Sequence, residues 1–250
     1  MSSINIFGNG YVGGAYADYL KENGYDIVRI DPKFEDMQPT VDTSNPSIIC
    51  VPAPTGDDGI VNHSIITTIL KGLPKDIPIL IKSTVNPEYI RRLNILRPNV
   101  TYSPEFLTAA NAASDIRTNE IVILGGKPTS ALWFWEDLFE NLGKHVHVTD
   151  ARTASFMKYA VNTFLATKVV FMNELHDQYD GNWGKLKALL ELDPRLGTSH
   201  MDVPGADGRG YGGACFPKDV KAFLKFTSDE YMQGMSVLHK AQLVNEKWRK

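Results

Sequence analysis

The chain is poor in the features that mark the more specialised classes of protein. Its 250 residues hold only two cysteines, Cys50 and Cys215. That is no disulfide framework, and it points to a reducing compartment, the cytoplasm. No apolar run reaches the roughly 18 residues of a membrane span, and MSSINIFGNG lacks the basic start and apolar core of a secretory signal. Neither charge sign dominates: 26 basic residues against 29 acidic give a net charge of −3. That leaves no broad cationic surface for nucleic acid or anionic lipid. Hydrophobic residues at 43% and charged residues at 22% exclude a disordered or fibrous chain. No internal repeat or low-complexity segment is present, and no metal is expected.

What is present is pattern. Short apolar runs alternate with helical stretches through the first 150 residues, as in βαβ units around a parallel sheet. INIF (4–7), DIVRI (26–30), SIICV (47–51), IPILIK (77–82), NVTY (99–102), EIVIL (120–124) and HVHV (145–148) are the expected strands. Residues 151–180 contain neither Gly nor Pro before the end of the run and predict one long helix, buried along much of its surface. Beyond it come a helix over 183–192, a glycine-rich loop over 193–216, a helix opened by Pro217 and a last helix from about Tyr231. The fold class is therefore α/β: a Rossmann-type, doubly wound, mostly parallel sheet over 1–150, then an all-helical domain over 151–250 with one long central helix.

GNGYVG (8–13) follows the first strand and opens a helix, and that context gives a GxGxxG match its weight. Gly8 permits the tight turn, Gly10 lets a pyrophosphate approach the backbone, and Gly13 lets helix and strand pack closely. The helix start supplies free N–H groups for phosphate. Asp31 ends the second strand, where a carboxylate accepts ribose hydroxyls and repels a 2′-phosphate, favouring NAD over NADP.

Two further clusters carry chemistry. Lys158 and Asn162 are four apart on the long helix and share a face. Each alone reads as a snorkelling lysine or a satisfied core asparagine; together they suit the oxygen of a hydroxyl undergoing oxidation. GRGYGGACFPKD (208–219) puts four glycines in six residues ahead of Cys215. The helix begun at Pro217 turns its free amides toward the sulfur, and with Lys218 nearby this favours the thiolate. The glycines are expected to admit a bulky ligand or to adopt positive φ. Cys50, inside SIICV, reads as a buried structural cysteine.

In these segments, and in VPAP (51–54), STV (83–85), SPEFL (103–107) and KYAVNTFLATK (158–168), the chain resembles the UDP-glucose/GDP-mannose 6-dehydrogenase family. The resemblance implies oxidation of a nucleotide sugar's primary alcohol to a carboxylate with two NAD, through a covalent thioester. It implies Cys215 as nucleophile, Lys158 and Asn162 as oxyanion stabilisers, Asp219 as base or water-positioning group, and Glu105 and Thr84 near the hydrolytic water and the nicotinamide. Gly8, Gly10, Tyr11, Val12, Gly13, Asp31, Lys33, Pro52 and Thr84 would meet the cofactor. Glu105, Phe106, Leu107, Lys158, Asn162, Arg195 and Gly212 would meet the substrate, Arg195 in the partner subunit's pocket.

The chain also departs from the family pattern. PEFLTAA replaces the usual PEFLREG, so Ala109 lacks a carboxylate, and Ser155 stands where a glutamate is common. The family's second nucleotide-fold domain, which binds much of the UDP, has no counterpart by Lys250. The expected assembly is a homodimer through helix 151–180, with a separate chain as another way to complete the UDP pocket. Two other readings stand beside this one: a single-step hydroxyacid or alcohol dehydrogenase, which needs no Cys215, and a non-catalytic dinucleotide-binding subunit.

Overall fold

Runs of isoleucine, valine and leucine near the start of the chain form strands because both faces of a parallel sheet are covered by helices. A computed structural model describes residues 3–33, 41–108, 110–231 and 234–249; Ala109 lies outside the described residues. Two compact units are formed, one from Met1–Pro54 with Val61–Lys158, the other from Thr55–Ile60 with Tyr159–Lys250.

In the first unit the elements alternate: β1 (Ile4–Phe7), α1 (Tyr11–Glu22), β2 (Ile27–Ile30), β3 (Ser47–Ile49), α2 (Ser64–Gly72), β4 (Ile79–Ile81), α3 (Pro87–Leu96), β5 (Val100–Tyr102), α4 (Ala112–Thr118), β6 (Ile121–Gly125), α5 (Ser130–Asn141) and β7 (His145–Thr149). All seven expected strands are there. Their order is β2-β1-β3-β4-β5-β6-β7, parallel except between β5 and β6. The period-2 alternation sorts side chains onto two faces. Ile4, Ile6, Leu80, Val122 and Leu124 pack with α1, α4 and α5, while Ile79, Ile81, Val100 and Tyr102 pack with α2, α3 and Ala151 and Ala154.

The strand order places β1 between β2 and β3, so the chain leaves β1 in one direction and returns on its other side. The crevice at the carboxyl ends of β1 and β3 is the topological switch point, where ligands bind in open α/β sheets. The glycine turn after β1 sits there.

The helix α6 (Ala151–Gln178) starts in the first unit and ends in the second. It is less buried than its apolar sequence suggests, because Met157, Phe164 and Phe171 are exposed. Their spacing of seven sets them along one stripe. The second unit continues with α7 (Trp183–Leu190), α8 (Phe216–Tyr231) and α9 (Ser236–Trp248). Tyr231 thus ends a helix rather than starting the last one; Gly234, at φ +59°, follows the break.

Close packing at the turn yields a stability prediction. A Cβ on Gly13 would overlap the Gly8 carbonyl oxygen, whereas one on Gly10 meets nothing within 4 Å. Gly13→Ala is expected to cost about 1–3 kcal/mol in urea denaturation, and Gly10→Ala less than about 1 kcal/mol.

Candidate functional site

The turn after β1 is built as a phosphate site requires. Gly8 takes φ +91°, and a Cβ there would sit 2.8 Å from the Cys50 carbonyl oxygen. Gly10 precedes α1 with no side-chain cap, so the first amides of that helix keep their capacity for an anion. Asp31, just past β2, accepts from the Asn9 amide at 2.7 Å and the Lys33 amide at 3.0 Å. These bonds, Asn9 first, hold its carboxyl below the usual aspartate value. Tyr11 and Pro52 are exposed and Val12 half-buried beside the crevice. These features fit NAD: an open glycine at the helix start, with an ionised carboxylate at the second strand's end.

Thr84 is half-buried between two anchored neighbours. Ser83 donates to the Val51 carbonyl at 2.6 Å, and the Val85 carbonyl accepts from Ser155 at 2.6 Å. Ser155 is therefore a buried link between α6 and this loop. Thr84 is not the cap of α3; Asn86 is, accepting from the Glu88 and Tyr89 amides at 2.8 and 3.3 Å. The His63 ring stacks on Tyr89 at 3.8 Å, its Nε2 accepts from the Asn86 amide, and burial lowers its pKa to about 4.

Beneath the loop 103–107 lies a buried ion pair. Lys82 Nζ is 3.1 Å from Glu105 Oε2, donates to Ser103 at 3.0 Å and stands over the Tyr16 ring. Glu105 also accepts from the Phe106 and Leu107 amides at 2.7 and 3.0 Å. Burial pushes the Glu105 carboxyl up, but the Lys82 ammonium and these hydrogen bonds outweigh it and leave the pKa lowered. Lys158 Nζ donates to the Glu105 backbone carbonyl and lies 5.0 Å from the centre of the half-buried Phe106 ring. The carboxylate of Glu105 is thus turned to Lys82 and its carbonyl to Lys158, and Leu107 is buried.

In the second unit, the Cys215 carbonyl accepts from the Asp219 amide at 3.0 Å, so the cysteine caps α8. Asp219 is 1% exposed. Its carboxylate accepts from Asn162 Nδ2 at 2.6 Å and from Lys218. Neither cysteine is in a disulfide. Burial pushes the Cys50 thiol up to about 12, which keeps it neutral and unreactive. Arg195 is paired with Asp193 and projects into solvent. Among the described residues no group of three or more His, Cys, Asp or Glu side chains is placed to hold a metal ion. No helix among them is long and apolar enough to cross a membrane.

The glycines ahead of Cys215 owe their identity partly to protein contacts. A Cβ on Gly210 would overlap Asn245 Oδ1, and one on Gly212 would overlap the Arg249 guanidinium. Gly208, Gly210 and Gly213 take positive φ, one of the two reasons the sequence offered for glycine here. Sequence reasoning also missed Lys82. Its register was the available signal, because it shares the parity of Leu80 and faces the α1 side of the sheet.

The ion pair gives a signed prediction. Lys82→Met leaves a buried carboxylate uncompensated and is expected to cost about 3–5 kcal/mol at neutral pH. Adding Glu105→Gln recovers part of the loss. A lowered folded pKa means that the wild-type contribution is present above the ordinary glutamate value near 4.5 and is lost as pH falls through the folded value. The double variant should lack that slope in urea midpoints measured across the acid range.

The comparisons agree with this geometry. Residues 32–143 match the NAD binding domain of the UDP-glucose/GDP-mannose dehydrogenase family, and residues 152–247 match its central domain. The chain is 32% identical over 176 residues to the UDP-glucose 6-dehydrogenase of Rickettsia bellii, covering 64% of this chain and 39% of that one. It is 28% identical over 277 residues to that of Bacillus subtilis, covering 91% and 62%. It therefore spans less than two thirds of these curated relatives. A UDP-glucose dehydrogenase structure from Pyrobaculum islandicum superposes with a TM-score of 0.83 at 22% identity, over 99% of this chain and 68% of that one. With the glycine turn, the switch-point crevice and both domain matches in place, the chain belongs to the UDP-glucose/GDP-mannose dehydrogenase family and carries its NAD-binding domain.

Proposed function

We propose that this chain oxidises the primary alcohol of a nucleotide sugar to the carboxylate with two NAD per sugar, UDP-glucose being the first substrate to test. The observation that carries the reading is Cys215 capping α8 with a buried carboxylate, Asp219, one turn further on and bonded to Asn162. A dehydrogenase that stops at the aldehyde has no use for such a thiol.

NAD supplies the hydride acceptor in each of the two oxidations. Gly8, Gly10, Tyr11, Val12 and Gly13 would hold its pyrophosphate and Asp31 its ribose, and Lys33, Pro52 and Thr84 would meet the rest of it. Lys158 and Asn162 stabilise the negative charge that develops on the sugar oxygen as its proton passes to water and its carbon gives up the first hydride, leaving the aldehyde. The Cys215 thiolate then adds to the aldehyde carbon; the C–S bond forms and the carbonyl pair moves to oxygen. Loss of the second hydride from that carbon leaves a thioester. Water attacks it, the C–S bond breaks, and the sulfur leaves as thiolate. Asp219 positions that water or takes its proton. Glu105 acts by holding the loop whose carbonyl receives Lys158.

The exposed stripe of Met157, Phe164 and Phe171 supports a homodimer through α6, with Arg195 reaching the partner's sugar pocket. The loop 193–215, Gly212 included, and a partner protomer or a separate chain supply further substrate contacts. A reducing cytoplasm keeps the thiol available.

Two experiments test the reading. Wild type should release two NADH per UDP-glucose, and Cys215→Ser should form no acid in the steady state. One NADH with an indifferent Cys215→Ser would instead indicate a single-step dehydrogenase, and none across a panel of sugars a binding subunit. Phe164→Arg with Phe171→Arg should convert a wild-type dimer to monomer in sedimentation velocity.

A further inference from the structure

We infer that α9 positions Cys215, with Asn245 and Arg249 clamping the backbone of the glycine loop that delivers the thiol. The Tyr211 amide donates to Asn245 Oδ1 at 2.7 Å, and Asn245 Nδ2 donates to the Tyr211 carbonyl at 3.2 Å. One buried amide thus pairs with both backbone groups of one residue. Arg249 adds three bonds: Nε to the Tyr211 carbonyl at 3.1 Å, Nη1 to Asp207 at 2.6 Å and Nη2 to Gly210 at 3.2 Å. From α6, Asn173 Oδ1 accepts from the Gly210 amide at 3.2 Å and from Arg209 at 2.7 Å. The Arg209 guanidinium lies over the Trp248 ring at 5.2 Å, back on α9.

This arrangement meets a physical need. Gly212 and Gly213 follow the clamp directly and precede Ala214 and Cys215. Glycines carry more backbone freedom than any other residue, and an unanchored loop would let the sulfur wander from the position a reacting carbon requires. The clamp fixes the chain on one side of these glycines. On the other side the buried Tyr211 ring meets Phe216, the residue after Cys215, edge-on at 6.4 Å. Asn245 and Arg249 are positioning residues, acting through Tyr211.

The inference rests on Cys215 as the reacting group, and its test reads the loop without turnover. The rate constant for iodoacetamide modification of Cys215 is measured by peptide mass spectrometry in the folded protein, with Cys50 as internal control. Losing the three hydrogen bonds of this guanidinium shifts a local opening equilibrium by about tenfold or more. Arg249→Ala is expected to raise the Cys215 rate by that factor and to lower kcat, leaving KM for NAD and the Cys50 rate unchanged. Arg249→Lys restores part of the effect. Gly212→Ala, whose Cβ displaces the guanidinium, should reproduce Arg249→Ala, and the two combined should do no more than either alone. Because Arg249 is exposed, its variants keep the fold even if Asn245→Ala does not. An unchanged Cys215 rate in Arg249→Ala, or a parallel rise at Cys50, overturns the clamp. If the wild type turns over no sugar, the functional reading fails while the modification rates still decide this one.

Discussion

The second unit turns on one buried carboxylate. Asp219 is almost fully removed from water, and so polar a group is tolerable there only with hydrogen bonds to replace its hydration. Asn162 from α6 and Lys218 from its own helix provide them. That requirement ties the first turn of α8 to the long helix and with it fixes Cys215, the residue whose carbonyl begins the helix. Tyr159 stacks on Phe223 at 5.4 Å and reinforces the same helix pair.

The first unit answers a similar problem with a different device. Lys82 and Glu105 are both inside the sheet layer, where an ion pair gives little net stability but a well-defined geometry. Its consequence is local: the loop 103–107 is held from both ends of one residue, the carboxylate by Lys82 and the carbonyl by Lys158. A family residue expected near the hydrolytic water thus has a structural task first. Ser155 shows the same economy, its hydroxyl spent on the Val85 carbonyl beside Thr84.

Most of the sheet was legible in the sequence, because strands buried on both faces must be continuous apolar runs such as PILIK and EIVIL. The glycine turn was legible for the same kind of reason: Gly8 needs positive φ, and Gly13 has no room for a Cβ. The break between α8 and α9 was misplaced, although Gly234 carried the signal. Side-chain pairings across long separations left no local trace. Nothing near Tyr211 announces Asn245, and nothing near Glu105 announces Lys82. Helix α6 was expected to be buried along much of its surface, and three of its apolar residues at a spacing of seven are exposed; composition gives apolarity but not what covers it.

The central claim, that the sugar becomes bound to sulfur during turnover, has a direct measurement. Protein quenched with acid while oxidising UDP-glucose in the presence of NAD is digested and its Cys215 peptide weighed. The account predicts a hydroxylamine-labile acyl adduct on that peptide, absent without NAD. Acid formation at full rate, with Cys215 unmodified at every quench time, would contradict it.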